Sequence, residues 1–237
     1  MSSTAPSNKR PKVVIVIPAL NEEKAIGRVL DDIPRRLVSE VIVVDNGSTD
    51  RTPEIARQKG ARVVYEPRRG YGAACYAGFR AAPPDTDIVV FMDGDYSDHP
   101  EELPLLLEPI IKGEADMVIG SRMRGKREKG ALPPHSLFGN WLASTLLRLI
   151  YGQKVTDLGP FRAIRYECLK ALGMRDRGFG WTVEMQARAA RKGLRVVEVP
   201  VSYRRRIGKS KITGNLVNSI RAGYTILATI FKVALGW

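Results

Sequence analysis

The first half of this 237-residue chain alternates short apolar runs with amphipathic helical patterns. The runs are rich in Val and Ile and too short for helices, which predicts buried strands. The predicted strands are Val13–Ile17, Val41–Val44, Arg62–Tyr65 and Asp87–Met92, and the predicted helices are Glu22–Ile33, Pro53–Lys59 and Gly72–Ala81. A strand–helix order repeated in this way predicts an α/β fold with one mainly parallel sheet covered by helices.

Composition divides the chain into three segments. Residues 1–12 are polar and poor in apolar side chains, which predicts a disordered tail. Residues 13–211 form one predicted domain, and residues 212–237 form a helical segment. No signal peptide opens the sequence, so we expect the cytosolic side of a membrane. Cys75 and Cys168 fit no metal or redox spacing and are predicted to be reduced, packed thiols.

Polar loops follow three of the predicted strands, at Pro18–Glu22, Asp45–Asp50 and Asp93–Asp98. The carboxyl ends of parallel strands meet at one edge of a sheet, where ligands of open α/β sheets bind. A nucleotide crossing that edge would find hydrogen-bond acceptors for its base or ribose in Glu22 or Asp45.

An aspartate pair ends the fourth strand, where the run Val89–Met92 is followed by Asp93 and Asp95. Two hard carboxylates on one turn suit Mg²⁺ or Mn²⁺ with positions left open for phosphate oxygens. The alternative is an ordinary solvated turn, because Asp and Gly are common turn residues.

Positive charge is concentrated in the second half of the chain. Residues 1–120 carry 15 Lys and Arg against 19 Asp and Glu, a net −4, whereas residues 121–237 carry 23 against 6, a net +17. Such a split predicts that the second half meets an anionic partner. The sequence contains no helix-turn-helix, zinc-binding or aromatic RNA-binding signature, so nucleic acid is not the expected partner.

The C-terminal segment Leu216–Trp237 is apolar with Arg221 and Lys232 interposed. Its longest uncharged run, Ala222–Phe231, is about half of the ~20 residues that span a bilayer. A basic amphipathic helix of this kind suits an anionic membrane surface. The alternatives are a helix docked on the sheet or a homo-oligomer interface. The apolar segment Leu137–Tyr151 is expected either to join the same surface or to be core.

Several short motifs follow one another in a fixed order. They are Pro18–Glu22, Val43–Asp50, Gly70–Ala73, Met92–Pro100 and Gly120–Arg122, then Thr156–Arg162, Gly180–Met185, Glu198–Val201 and Tyr203–Lys211. The first five together resemble family-2 glycosyltransferases with the Rossmann-like, nucleotide-sugar-binding GT-A fold. The last four resemble the dolichyl- or polyprenyl-phosphate sugar synthases of that family.

This resemblance implies roles for individual residues. The base and ribose pocket would be lined by Pro18, Leu20, Glu22, Val44, Asp45 and Asn46. Ribose and sugar would contact Asp93 and Gly94. The metal would bind Asp95 and Asp93, and Ser97, Asp98 or water would complete its shell. The diphosphate or the acceptor phosphate would meet Arg122, Arg205 and Lys211. Three positions depart from the family pattern: Asn46 replaces a second aspartate, Ser97 a glutamine, and Gly159–Pro160 a Ser-Gly pair.

The resemblance further implies inverting transfer of a sugar from a UDP- or GDP-sugar to polyprenyl phosphate. Arg122 and Arg162 would each offer a bidentate fork to the acceptor phosphate. A phosphate monoester is already an anionic nucleophile near pH 7, so no general base is required. Glu184 is expected to pair with Arg188, to shape the sugar pocket, or to act as base for a hydroxyl acceptor. A hydroxyl acceptor and a non-enzymatic membrane-bound scaffold are the alternative functions.

Overall fold

The computed structural model describes residues 10–208 and 216–237. Its first half contains the predicted alternation. In chain order the elements are β1 (Val13–Ala19), α1 (Ile26–Asp32), β2 (Glu40–Asp45), α2 (Thr52–Gln58), β3 (Arg62–Tyr65), α3 (Tyr71–Ala81) and β4 (Ile88–Phe91). Helix α1 begins four residues later than predicted, because the segment before it forms a turn in which the Glu22 carbonyl accepts the amides of Ala25 and Ile26.

The second half adds three strands and five helices. They are α4 (Leu103–Ile111), β5 (Met117–Ser121), α5 (Pro134–Tyr151), β6 (Arg162–Arg165), α6 (Tyr166–Leu172), α7 (Trp181–Arg191), β7 (Val196–Pro200) and α8 (Leu216–Ala234). Short 3₁₀ turns occur at Arg35–Leu37 and Pro100–Glu102.

All seven described strands belong to one sheet with the order β3-β2-β1-β4-β6-β5-β7. Only β6 is antiparallel to its neighbours β4 and β5, so the mainly parallel prediction is confirmed. Apolar side chains alternate between two cores, one on each face of the sheet. Gly78 of α3 lies so close to Val16 and Val44 that any side chain there would collide with them.

Helix α8 packs against α5 and α7 through one of its faces. Ile230 and Val233 are fully buried in the same core as Ala143 and Leu147 of α5. The Tyr151 hydroxyl donates a hydrogen bond to the Ile230 carbonyl. The end of the chain is therefore part of the packed domain through this face. In the part of the chain that the structure describes, no helix is long and apolar enough to cross a bilayer.

Candidate active site

A cleft of about 160 Å³ opens at the carboxyl ends of β1, β2 and β4. It is lined by Pro18, Ala19, Leu20, Glu22, Asn46, Tyr71, Ala74, Asp93, Gly94, Asp95, Phe179 and Arg206. The structure thus brings together seven of the residues singled out from the sequence, which come from three separate loops. Strand order explains the convergence, since β1 lies between β2 and β4 and all three run parallel.

Val44 does not line this cleft, contrary to expectation. Its side chain is fully buried in the core beneath α3, because alternation along β2 turns it away from the loop edge. Asp45 is buried, and its carboxylate accepts the backbone amide of Ser48 at 2.8 Å, which fixes the following turn.

Asn46 joins two loops at the wall of the cleft. Its side-chain amide donates to the carbonyls of Glu66 and Arg68, both at 2.8 Å, and its carbonyl oxygen accepts the Gly70 amide at 2.9 Å. A carboxylate accepts hydrogen bonds but has no proton to donate to those two carbonyls. The local structure therefore explains why an asparagine occupies a position where the family commonly has aspartate.

The loop from Asp93 to Asp98 concentrates negative charge in a buried place. The amide and hydroxyl of Ser97 donate to Asp95 Oδ1, and Asp98 Oδ2 accepts the Asp93 amide at 3.1 Å. Burial, with Asp95 nearby, raises the pKa of Asp98 to about 7. Burial and the neighbouring carboxylates Asp95 and Asp98 also raise the pKa of Asp93 well above its usual range. An arrangement that disfavours its own ionisation in this way is suited to a cation.

This loop is held in a strained conformation by contacts from outside. Tyr96 has φ of 69°, a left-handed value that ordinary side chains disfavour by about 1 kcal/mol. The Arg204 guanidinium stacks on the Tyr96 ring at 3.4 Å and donates to the carbonyls of Tyr96 and Asp98. The Tyr96 hydroxyl donates to Asp32 at 2.9 Å.

The carboxylates of this loop fit a divalent cation whose coordination shell is completed by oxygens of the substrate. Among the described residues, no group of three Asp, Glu, His or Cys side chains has a geometry that would hold a metal alone. Mg²⁺ and Mn²⁺ sites for phosphate substrates commonly use one or two carboxylates plus phosphate oxygens and water. Asp98 Oδ1 is buried without a hydrogen-bond partner among the described residues, so an acceptor in this loop is still unsatisfied. Asp95 and Asp93 would hold the ion. The Ser97 hydroxyl, expected as a further ligand, donates to Asp95 instead, so the unsatisfied Asp98 Oδ1 is the acceptor that would complete the shell.

Arg206 faces Asp95 in this cleft, with its Nη2 atom 2.7 Å from Asp95 Oδ2. The sequence instead predicts this role for Arg205, whose guanidinium donates to the Lys129 carbonyl outside the cleft and whose amide donates to Glu128. Arg205 therefore does not line the cleft expected to hold the diphosphate, and its contact with an acceptor phosphate stays a prediction. The signal that would have found Arg206 is the period of two in an extended segment, which turns Arg204 and Arg206 to one side and Arg205 to the other. Lys211 lies outside the described residues.

The Arg122 guanidinium forms a bidentate hydrogen bond with the carboxylate of Asp157. Its Nε and Nη2 atoms donate to Asp157 Oδ2 and Oδ1 at 2.8 and 2.7 Å, and the ring of Tyr203 lies 5.0 Å from the guanidinium carbon. Glu198 accepts the amides of Thr156 and Asp157, which fixes the segment that carries this carboxylate. The fork expected to bind phosphate is therefore engaged with Asp157.

Arg162 is a structural residue, which corrects its assignment to the acceptor phosphate. Its side chain is fully buried and donates to the carbonyls of Leu158, Gly159 and Thr182. Burial lowers the pKa of its guanidinium to about 10. Arg162 lies at the start of β6, beneath the 158–160 loop. Its side chain therefore holds that loop in place and presents no donor to solvent.

Glu184 is also internal to the fold. Its fully buried carboxylate accepts the amides of Arg175 and Asp176 and pairs with Arg188 at 2.6 Å. Of the roles expected from the sequence, the i,i+4 pairing with Arg188 is the one that the structure shows. No face of this carboxylate is exposed to receive a proton from a substrate, so the catalytic role is wrong.

The family model for glycosyl transferase family 2 matches residues 14–173, which is more than half of the chain. The chain belongs to glycosyltransferase family 2. It is therefore an enzyme, and the scaffold alternative is set aside.

Three comparisons place this glycosyltransferase more closely. It is 38% identical over 228 residues to the dolichyl-phosphate hexose transferase of Haloferax volcanii, with 94% of each chain covered. It is 35% identical over 222 residues to the undecaprenyl-phosphate mannosyltransferase of Micrococcus luteus, covering 87% of this chain and 89% of the relative. The solved structure of glucosyl-3-phosphoglycerate synthase from Mycobacterium tuberculosis, in complex with Mn²⁺, UDP and glucosyl-3-phosphoglycerate, matches with a TM-score of 0.75 at 28% identity, covering 94% of this chain and 79% of that one. The fold is thus GT-A, and the chain resembles the polyprenyl-phosphate sugar transferases of its family.

Proposed function

We propose that this glycosyltransferase moves a sugar, with inversion, from a nucleoside diphosphate sugar to a polyprenyl phosphate. The observation that carries the proposal is the cleft in which Glu22, Asp93, Asp95 and Arg206 converge at the carboxyl edge of the sheet. The names of the Haloferax and Micrococcus relatives support a lipid phosphate as acceptor. The Mycobacterium structure, bound to Mn²⁺ and UDP, supports a metal-dependent nucleotide donor.

The donor would lie across the loops that follow β1, β2 and β4. Pro18 and Leu20 offer apolar contact for a base, Glu22 offers an acceptor, and Asp93 and Gly94 lie where ribose and sugar would pass. Asp95 and Asp93 would hold Mg²⁺ or Mn²⁺, which when bound stabilises negative charge on the departing diphosphate. Arg206 is the guanidinium in the same cleft that would do so from the protein side.

The place of Glu184 and the charge of the second half of the chain both favour a phosphate acceptor. A hydroxyl acceptor needs a base, and the residue expected for that role, Glu184, is buried and engaged with Arg188 and two backbone amides. A phosphate monoester carries its own negative charge and attacks without such a base. The excess of positive charge in residues 121–237 supports an anionic acceptor.

We further propose that α5 and α8 rest on the cytosolic face of an anionic membrane. The two helices contact each other, and each carries large apolar side chains that are more than half exposed. These are Phe138, Trp141 and Leu149 on α5, Tyr224 and Phe231 on α8, and Leu235 directly after the end of α8. Within each helix they recur at intervals of three, four or more residues that keep them on one side. Arg148, Arg221 and Lys232 are exposed on the same helices and would meet lipid phosphates.

The function is tested by a matrix of donors and acceptors. Purified protein with Mn²⁺ is incubated with UDP- and GDP-sugars against a short polyprenyl phosphate, the matching polyprenol and 3-phosphoglycerate. The proposal expects a sugar product on the polyprenyl phosphate with at least one donor. Transfer to polyprenol or phosphoglycerate with none to polyprenyl phosphate would contradict it.

The membrane proposal is tested by sedimentation with anionic vesicles. Trp141→Ser and Phe231→Ser should each weaken vesicle binding, while Tyr65→Ser, which removes an equally exposed aromatic from β3, should not. Binding should also weaken as salt is added. If the apolar face joins two copies of the chain instead, the first two variants will convert a dimer to a monomer in solution and leave vesicle binding unchanged.

A further inference from the structure

Arg206 occupies the position of a cation in the candidate active site. Its Nη2 atom lies 2.7 Å from Asp95 Oδ2 and 3.6 Å from Glu22 Oε1. Asp95 is almost fully buried, whereas about a third of the Arg206 side chain is exposed toward the cleft. The carboxylate expected to bind a divalent metal is therefore already neutralised by a guanidinium from a different part of the chain.

The backbone around Arg206 is fixed to the metal loop itself. The Arg204 amide donates to the Ser97 carbonyl at 3.0 Å, and the Ile207 amide donates to the Asp95 carbonyl at 2.9 Å. These bonds lie on either side of Arg206 and fix its backbone beside the metal loop. Rotation of the side chain alone can therefore carry the guanidinium from Asp95 to a diphosphate bound at this loop.

The guanidinium also has an unused donor. Arg206 Nε is buried and has no hydrogen-bond partner among the residues that the structure describes. A guanidinium forms its strongest hydrogen bonds with carboxylate and phosphate oxygens, for which it can use two donors at once. The contacts with Asp95 and Glu22 both involve Nη2, so a diphosphate that also accepts from Nε would offer a more complete set of acceptors.

We propose that Arg206 is an exchangeable counter-ion, which neutralises Asp95 in the free enzyme and transfers to the donor diphosphate when metal and donor bind. This inference rests on the proposed function, because it requires a diphosphate donor. A metal ion arriving alone must displace Arg206 from Asp95 and gives it no new anion. When metal and nucleoside diphosphate bind together, the metal replaces Arg206 as the partner of Asp95, and the diphosphate is a new anion for Arg206. Metal and nucleotide therefore bind cooperatively.

The exchange has a distinct signature in binding measurements. In the wild-type protein Mn²⁺ alone should bind weakly, and UDP or GDP should strengthen it. In Arg206→Gln, which removes the competitor, Mn²⁺ alone should bind more tightly, while the nucleotide should bind more weakly. The factor by which nucleotide strengthens Mn²⁺ binding should fall by on the order of tenfold, a coupling typical of linked sites.

In the experiment the full chain is titrated with Mn²⁺, once without nucleotide and once with UDP or GDP. The concentration of free Mn²⁺ at each step is measured by electron paramagnetic resonance. Arg80→Gln is the matched control, because it removes the same charge from an exposed site at the far end of α3, roughly 13 Å along the axis from Tyr71 in the cleft. A melting curve accompanies each protein, and Arg206→Met, which keeps the aliphatic stem, replaces the Gln variant if that variant is unfolded.

Tighter Mn²⁺ binding together with a reduced coupling factor in the Arg206 variant, and wild-type values in the control, would support the exchange. Unchanged Mn²⁺ affinity and coupling, in a variant that still binds Mn²⁺ with nucleotide, would overturn the exchange alone and leave the proposed function standing. No Mn²⁺-dependent nucleotide binding by any of the proteins, wild type included, would overturn both.

Discussion

Replacing Glu184 with Gln should destabilise the fold and should not act as the loss of a catalytic base. The carboxylate is fully buried at the first turn of α7, where it accepts two backbone amides and pairs with Arg188 at 2.6 Å. The amide of Gln cannot accept at its nitrogen, and the change leaves the mostly buried Arg188 guanidinium without a counter-charge.

The magnitude follows from removing one partner of a buried ion pair, which costs about 3–5 kcal/mol. For a chain of this size each kcal/mol lowers the melting temperature by about 2–4 °C. The expected fall is therefore on the order of 6–20 °C, larger than that of most single substitutions.

The assay is thermal unfolding followed by circular dichroism, with transfer rates measured at a temperature where both proteins are folded. Glu167→Gln provides the control, because Glu167 also lies in the first turn of a helix but is about three-quarters exposed. Its ion pair, from Oε2 to Lys170 Nζ at 3.6 Å, is longer than that of Glu184 and lies at the surface. Its loss should change stability by less than about 0.5 kcal/mol.

Two results would refute this reasoning. A Glu184→Gln protein that melts within about a degree of wild type would show that the carboxylate contributes little to the fold. If the same protein had also lost most of its turnover, the sequence-based assignment of Glu184 as a base would be restored.

Three further predictions concern residues of the site and the fold. Asp95→Asn should abolish Mn²⁺ binding and lower transfer on the order of a hundredfold with the fold retained, and near-wild-type rates at saturating donor would remove Asp95 from the metal shell. Arg162→Lys cannot reach all its carbonyl partners and should destabilise by about 1–3 kcal/mol, whereas a selective rise in the KM for acceptor without loss of stability would return Arg162 to the acceptor site. The pKa of Asp116 is lowered chiefly by its hydrogen bond from Arg195, so this contact stabilises the fold above the ordinary pKa and is lost as pH falls through the lowered value. Asp116→Asn should thus lower the free energy of unfolding by up to about 1 kcal/mol at pH 7, as measured by denaturant unfolding. The difference from wild type should disappear below about pH 4, and a difference independent of pH would exclude the ion pair.

The first half of the fold was predictable because its strands are continuous apolar runs, such as Val13–Ile17, bounded by polar loops. The second half was harder. Strand β6 is only four residues long and begins and ends with Arg, so its sequence lacks an apolar run. Its register is set by long-range pairing with β4 and β5, which a local pattern does not record.

The place of the candidate site was predictable where loops follow the ends of strands, as for Asp93 and Asp95, which line the cleft. It was not predictable where an arginine had to be classed as exposed or buried. Arg162 donates to backbone carbonyls and Arg122 to Asp157, and both contacts join segments that lie apart in the sequence. Likewise Arg206 reaches Asp95 from more than 100 residues away. Chemical type suggests phosphate binding for each of these residues, and only tertiary structure decides which of them faces the cleft.

The central claim, that a polyprenyl phosphate is the acceptor, is tested most directly by competition. Labelled donor is offered to the enzyme with Mn²⁺ and equal amounts of polyprenyl phosphate, polyprenol and 3-phosphoglycerate, and the labelled products are separated and identified by mass spectrometry. The proposed function predicts that nearly all label is found on the polyprenyl phosphate and that none is transferred by Asp95→Asn. Label on phosphoglycerate or polyprenol, with the polyprenyl phosphate unmodified, would contradict it.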